Sequence, residues 1–423
     1  MLVDRRKAAV FGVALILRLL LLGLFPSLPD LLTGRVEVST PVNSFKRLQE
    51  GLFLYTRNVS PYDGGVYHQA PLLLPIFALL PNAQDFALPT AIFYALIDLV
   101  NANALVIISN SGQSVSGRLH SALRKNIRWD GVAVAAWFLF NPFTIATCLG
   151  RSTTVFTTTG IFYAISSAVQ GNSLNSMLAL GFASYLSIYP VLLFIPLVIL
   201  CYDQRAQSTK PPSSAALFAV QHFGILLGGI TGLLGISCLI IGDFWEFISA
   251  TYGFQLLVPD LTPNVGLWWY FFIEMFDSFR EFFLGVFWLH LAAYVGGLTV
   301  RLRRQPLFII TALLGVFAIF KPYPSISDVS LYFALLPLYR HLFPLMRYTF
   351  FAISAILYAT LLGPAFYHLW IYAGSGNANF FYAITLVWSL GLSILLADSI
   401  FAALRDEWEQ KYPEMRGKDV RQV

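Results

Sequence analysis

Long apolar stretches alternate with short polar ones through the whole chain, at 8–25, 86–109, 129–149, 152–170, 214–241, 267–297, 305–320, 328–344, 348–369 and 379–404. Each comes close to the roughly 20 residues with which a helix crosses a bilayer. The stretch 177–201 is interrupted by Pro190 and Pro196, and reads as one kinked helix or as two short ones meeting in a turn. Leu72–Leu80, flanked by Pro71 and Pro81, is too short to span and is expected to dip into the membrane or lie on it. Asn43–Tyr55 opposes Phe45, Leu48, Leu52 and Phe53 to Lys46, Arg47 and Glu50, the pattern of an interfacial amphipathic helix.

Charge chooses between the two readings of 177–201. Short loops on the cytosolic side of a membrane protein are rich in Lys and Arg. Asp4-Arg5-Arg6-Lys7, the segment Arg118 to Arg128, Arg205 with Lys210, Arg301 to Arg304, Arg340 with Arg347, and the tail 405–423 with Arg405 and Arg421 should therefore share a side. They do so if 177–201 is two helices, which predicts about twelve spans with both termini cytosolic. The lumenal face then carries the first loop 26–70, the turn Gly150-Arg151, the segment 242–266, Lys321–Ser327 and Trp370–Ala378. The expected fold is an all-α polytopic membrane protein, residues 1–423 forming a single membrane domain.

Composition agrees. Hydrophobic residues make up 57% of the 423 and charged residues 12%, where a soluble protein carries about a quarter charged. The apolar run after the basic start lacks a small-residue cleavage site and reads as a retained first span. The net charge of +5 is distributed over short loops, which fits topology and excludes a nucleic-acid footprint. Cys148, Cys201 and Cys238 lie in apolar segments without metal or disulfide spacing, so no metal site or disulfide is expected. Asn58-Val59-Ser60 is a glycosylation sequon weakened by Pro61.

Several polar residues stand out against this background. Arg18 lies deep in the first span, with Asp98, Asn101 and Asn103 of the second as candidate partners; such groups more often hold helices together than perform chemistry. Asp398, in the last span, reads the same way. Glu274 and Asp277, three apart, should share a helix face. They suit a polar lining or subunit contact, and equally an interfacial pair against Arg280; a catalytic dyad lacks a second acid or His nearby. His68 is a candidate phosphate or sugar contact, although a lone loop His is more often simply hydrogen-bonded. His222 and His290 lack ligand spacing. No G-x-S-x-G is present and no Cys falls in a lumenal loop, so these residues offer no nucleophile with a base in reach.

Ser60-Pro61-Tyr62-Asp63-Gly64-Gly65-Val66-Tyr67-His68-Gln69-Ala70-Pro71-Leu72-Leu73-Leu74 resembles the stretch that dolichol-phosphate-dependent membrane mannosyltransferases carry shortly after an acidic catalytic pair. Upstream, however, Glu37-Val38-Ser39-Thr40-Pro41-Val42-Asn43-Ser44 holds no such pair. The string Pro259-Asp260-Leu261-Thr262-Pro263-Asn264-Val265-Gly266-Leu267-Trp268-Trp269-Tyr270-Phe271-Phe272-Ile273-Glu274-Met275-Phe276 closely resembles the class U subunit of the glycosylphosphatidylinositol (GPI) transamidase. So do Asn141 to Ile145, Lys321 to Pro324 with Asp328, and His368 to Tyr382, over about residues 8 to 405 and in matching order.

That resemblance implies a non-catalytic, multi-pass subunit of the endoplasmic reticulum membrane on a glycosyltransferase-C-like scaffold, with no cofactor. Its partners are the other transamidase subunits, among them a catalytic cysteine-protease-like one, and the GPI glycolipid that the complex joins to protein C-termini. The alternative is a dolichol-phosphate-mannose-dependent mannosyltransferase of GPI assembly, against which the absent acid pair counts, since sugar transfer needs a carboxylate near the acceptor. A transporter is disfavoured because no corresponding pair of broken segments recurs in two halves. Glycolipid binding is expected at the last lumenal turn. There His368, Trp370 and Tyr372 offer rings at headgroup level, Gly374, Ser375 and Gly376 offer backbone N–H groups to a phosphate, Asn377 and Asn379 offer amides to sugar hydroxyls, and Phe380 flanks the acyl tails. Asn264, Glu274 and Asp277 are assigned as a possible lining or subunit contact.

Overall fold

The computed structural model describes residues 2–83, 86–207, 214–242 and 244–418; Lys210 and Arg421, used above to orient the chain, lie outside them. Among the described residues all regular structure is helical, beside one isolated antiparallel bridge between Ser116 and Ser121. Among the described residues seven helices are long and apolar enough to cross a membrane: Arg5–Leu24, Ala87–Asn110, Tyr189–Ala206, Ala215–Ile241, Asp277–Arg301, Thr349–Tyr372 and Ala378–Lys411. An eighth counts if Gly131–Leu139 and Pro142–Leu149, bent by 55°, form one span. The bend follows from Asn141-Pro142. Asn141 Oδ1 accepts from the Phe143 N–H at 2.9 Å and starts a new helix, while Pro142 takes the first helical position, where its missing N–H costs nothing.

Three further apolar stretches are short. Thr154–Val169, Pro306–Phe320 and Ile326–Leu335 have 16, 15 and 10 residues. Pro306–Phe320 buries every residue except Phe320. A helix surrounded by protein does not have to match the hydrocarbon thickness, so these form the interior against which the longer helices pack. The stretch 177–201 is two helices. Ser173–Leu186 ends at extended Ser187, and Tyr189–Leu193 opens the next with Pro190 in its first turn. The stretch 267–297 also divides, into Trp268–Glu274 and Asp277–Arg301, because Met275 and Phe276 are extended.

The interfacial helix forms at Phe45–Tyr55 and buries Phe45, Leu48 and Gly51. Glycine is required at 51, where a Cβ would stand 2.7 Å from the Tyr67 ring. Phe53, assigned by pattern to the apolar face, is instead 54% exposed, with the Arg57 guanidinium 3.4 Å from its ring centroid. Leu73–Ala78 is a single short helix between the two prolines.

The basic segments meet at one end of the bundle. Arg6 pairs with Asp130, Arg124 with Asp406 and Glu409, Arg301 with Glu407, and Arg303 with Asp203. Arg340 lies over Trp129, and the Arg347 N–H donates to Asp398. The opposite end gathers the first loop, the turn at 150–153, 254–268, 321–328 and 367–382. This far end holds the candidate site.

Candidate functional site

At the far end a polar cavity of about 50 Å³ is buried between the first loop and the interior helices, lined by Asn43, Gln69, Thr153, Tyr189, Lys321 and Asp328 among others. Asn43 is its hub. Its Oδ1 accepts from the Thr40 N–H at 2.6 Å, and its Nδ2 donates to Thr154 Oγ1 at 3.0 Å and Ser325 Oγ at 3.2 Å. Gln69 joins the Ser44 carbonyl to the Thr153 hydroxyl. Opposite, Lys321 Nζ donates to Asp328 Oδ1 at 2.7 Å and sits over the Tyr189 ring. Asp328 Oδ2 accepts the Ser325 N–H, completing a capping box that starts Ile326–Leu335. Asp328 is the one acid of this lining, and both of its oxygens are committed. Glu37 turns to Arg35 at 3.0 Å, and Asp63 is exposed. Amides and hydroxyls are the commonest polar groups of the lining, beside apolar walls such as Leu73, Ile161 and Phe317, a set suited to holding a fold or a neutral ligand.

Beside it runs an apolar groove of about 300 Å³. Its walls are Val38, Phe143, Ile326, Ala359, Gly363 and Trp388, and Arg35 with Glu37 stands at its polar edge. Phe143 and Trp388 meet edge to face, and Pro364 interrupts the helix hydrogen bonding along the wall.

Over the groove lies the turn expected to bind glycolipid. His368–Tyr372 forms a π turn and Gly374 adopts φ +63°, as a side chain seldom does. The N–H groups of Ser375 and Gly376 both donate to the Leu369 carbonyl. They close the helix end and do not form the expected open cradle. Asn377 Oδ1 accepts from the Phe380 N–H and caps Ala378–Lys411. Asn379 Oδ1 accepts from the Tyr270 hydroxyl, and its amide nitrogen donates to no described residue. Tyr372 and Phe380 are exposed, and Phe380 stacks on Phe366. Trp370 stacks on buried Trp269, Tyr270 on Tyr382, and the Arg35 guanidinium faces Tyr367. Two distant segments, 268–274 and 366–382, thus form one aromatic roof.

Other expected residues fall elsewhere. Asn264 is buried, its Nδ2 donating to the Thr262 and Pro322 carbonyls and its Oδ1 accepting from the Gly266 N–H; it ties two loops together and lines no cavity described above. Glu274 and Asp277 are exposed and sit on different helices, because the chain straightens at Met275-Phe276; the shared face does not exist. Arg280 donates to the Val258 carbonyl and pairs with neither. His68 stacks on Phe254 at 3.6 Å with Nδ1 at 2.9 Å from the Ala250 carbonyl, and burial holds its imidazole below the ordinary range. It packs a loop. Arg18 finds Asp98 as its partner, and Lys7 takes Asn103. Sequence reasoning passed over Arg35 and Glu37; the available signal was an opposite-charge pair two residues apart beside an apolar segment.

A family model described as GPI transamidase subunit PIG-U matches residues 12–388. The chain is 36% identical over 395 residues to the GPI-anchor transamidase component PIGU of Homo sapiens, covering 90% of each chain. It is 36% identical over 407 residues to the GPI transamidase component GAB1 of Saccharomyces cerevisiae, covering 95% of each. A GAB1 homolog of Schizosaccharomyces pombe is 33% identical over 401 residues, 93% of each.

Proposed function

The chain belongs to the PIG-U family of GPI transamidase subunits, and from that premise we propose that it is the lipid-binding membrane subunit of the complex. It holds the GPI glycolipid and presents it to a catalytic, cysteine-protease-like partner, and it transfers nothing itself. The basic end faces the cytosol of the endoplasmic reticulum membrane, as the distribution of Lys and Arg favours, so that the aromatic roof and groove face the lumen. What carries the reading is the apolar groove beneath that roof, with a guanidinium at its edge. An acyl chain suits the groove, Arg35 suits the inositol phosphate, and the unused amide of Asn379 suits a sugar hydroxyl. The non-catalytic part rests on the neighbouring polar cavity. Asn43, a neutral amide, is its hub, and Asp328 is tied to Lys321 and Ser325.

The test is retention of GPI by the complex purified in mild detergent. Asn379→Ala removes one neutral hydrogen-bonding group, worth about 1 kcal/mol or roughly fivefold in retention. Thr360 also lines the groove; Thr360→Phe fills it and should reduce retention further, with subunit assembly unchanged in both. Wild-type retention in the two variants would remove this site.

A further inference from the structure

A second cleft opens at the same end, separated from the groove by the short helix Leu28–Thr33, whose Leu32 lines the groove while Asp30 and Thr33 line the cleft. We propose that this cleft binds the zwitterionic headgroup of a membrane phospholipid, with its phosphate on Arg151 and its ammonium toward Asp30 and Glu50. The inference does not rest on the glycolipid reading and concerns a different cavity.

Arg151 is the anomaly that points there. Its side chain is 7% exposed, yet its guanidinium donates no hydrogen bond to any described residue. Its ion-pair partner, Asp30, stands 4.0 Å away and is itself 81% exposed. Arg18, whose side chain is 2% exposed, shows how a buried guanidinium is settled elsewhere in this chain: Asp98 at 2.7 Å and the carbonyls of Ala14 and Leu139. A buried charge left without such partners is costly, and an anion from outside the chain completes it. The backbone is committed to the placement. Arg151 adopts φ +54°, a left-handed conformation that glycine tolerates and arginine does not favour. The Tyr94 hydroxyl donates to the Arg151 carbonyl at 2.7 Å, and the Arg151 N–H donates to the Cys148 carbonyl, holding the side chain in place over Phe45.

The cavity has the right two compartments. The cleft measures about 940 Å³, with Arg151 and Lys46 balanced by Asp30 and Glu50. Among the described lining residues the two signs balance, which suits a phosphate and an ammonium on one ligand better than a net anion. A pocket of about 350 Å³ adjoins it, sharing Phe45, Gln49 and Phe53 and continuing between Leu48, Leu52 and Phe77. That apolar continuation suits the start of an acyl chain. Leu24, Phe25, Phe86 and Leu88 are exposed on the adjacent chain, at the ends of two membrane helices. Outward apolar side chains at that level belong to the hydrocarbon boundary, so the ligand is a lipid and not a free ion.

The experiment is quantitative lipid analysis of the full chain, purified with its accompanying subunits in mild detergent. Wild type should retain phosphatidylethanolamine or phosphatidylcholine above the bulk membrane ratio. Arg151→Gln should lower that retention about tenfold, as expected for losing a charge-assisted contact. Arg151→Gly, which accepts the left-handed backbone without strain, should lower it equally while keeping the fold. Asp30→Asn with Glu50→Gln should shift the retained lipid toward anionic classes. GPI retention should stay at the wild-type level in all three. Wild-type lipid retention in Arg151→Gly, release of the lipid by millimolar inorganic phosphate, or selective retention of anionic lipid by wild type would each overturn the proposal.

Discussion

Arg18 shows how a membrane helix accommodates a charge. It is 2% exposed in the middle of the first span, and its guanidinium reaches across to Asp98 and down to two backbone carbonyls. The energy lies in mutual satisfaction, because either partner alone would be a buried unpaired ion. Asp98→Ala should therefore cost about 3–5 kcal/mol, measured as a lower melting temperature of the detergent-purified protein. Arg18→Met with Asp98→Leu should recover most of it. Equal melting of Asp98→Ala and wild type would show that the pair is not buried in the membrane. This pairing was legible in the sequence, since a charge so deep in an apolar run must have a partner and the second span supplied an acid. Arg35 was not legible in the same way. It lies beside a groove whose walls include Phe143, Ile326, Ala359 and Trp388, between 108 and 353 positions away, distances that local spacing does not report.

Among the helices, the polar breaks matter as much as the apolar runs. Asn141-Pro142 ends one helix and starts another at 55°, and Asn141 is buried at the joint. Replacing Asn141 with Leu leaves the Phe143 N–H without its acceptor and should cost about 1–2 kcal/mol, seen as a matching loss of thermal stability in detergent. No change would mean that Pro142 alone fixes the bend. The same logic explains why Glu274 and Asp277 do not share a face. Their spacing assumes a continuous helix, and the extended Met275-Phe276 cancels the assumption. Asn377 carries a related lesson. Its amide is a helix cap, so Asn379 is the cleaner test of glycolipid contact in the expected pair.

The whole molecule is polarised. At one end Arg6, Arg124, Arg301 and Arg303 pair with Asp130, Asp203, Asp406, Glu407 and Glu409, and Asp398 accepts the Arg347 backbone N–H, while the cavity, groove and cleft lie at the other. Tags at both termini and in 203–213 should accordingly be cleaved by protease from the same side of sealed microsomes, the cytosolic one. A tag in 203–213 protected while the N-terminal tag is cut would overturn the common side. The sequence by itself determined the membrane class, the positions of most helices, the grouping of basic loops and the family, because apolar run length, charge and long residue strings are written locally along the chain. Only the tertiary structure decided which apolar helices are short and interior, that 268–274 and 366–382 form one roof, and that Arg151 stands underpartnered in a cleft. These depend on which surfaces meet and on which hydrogen bonds remain after packing, and neither is fixed by spacing along the chain.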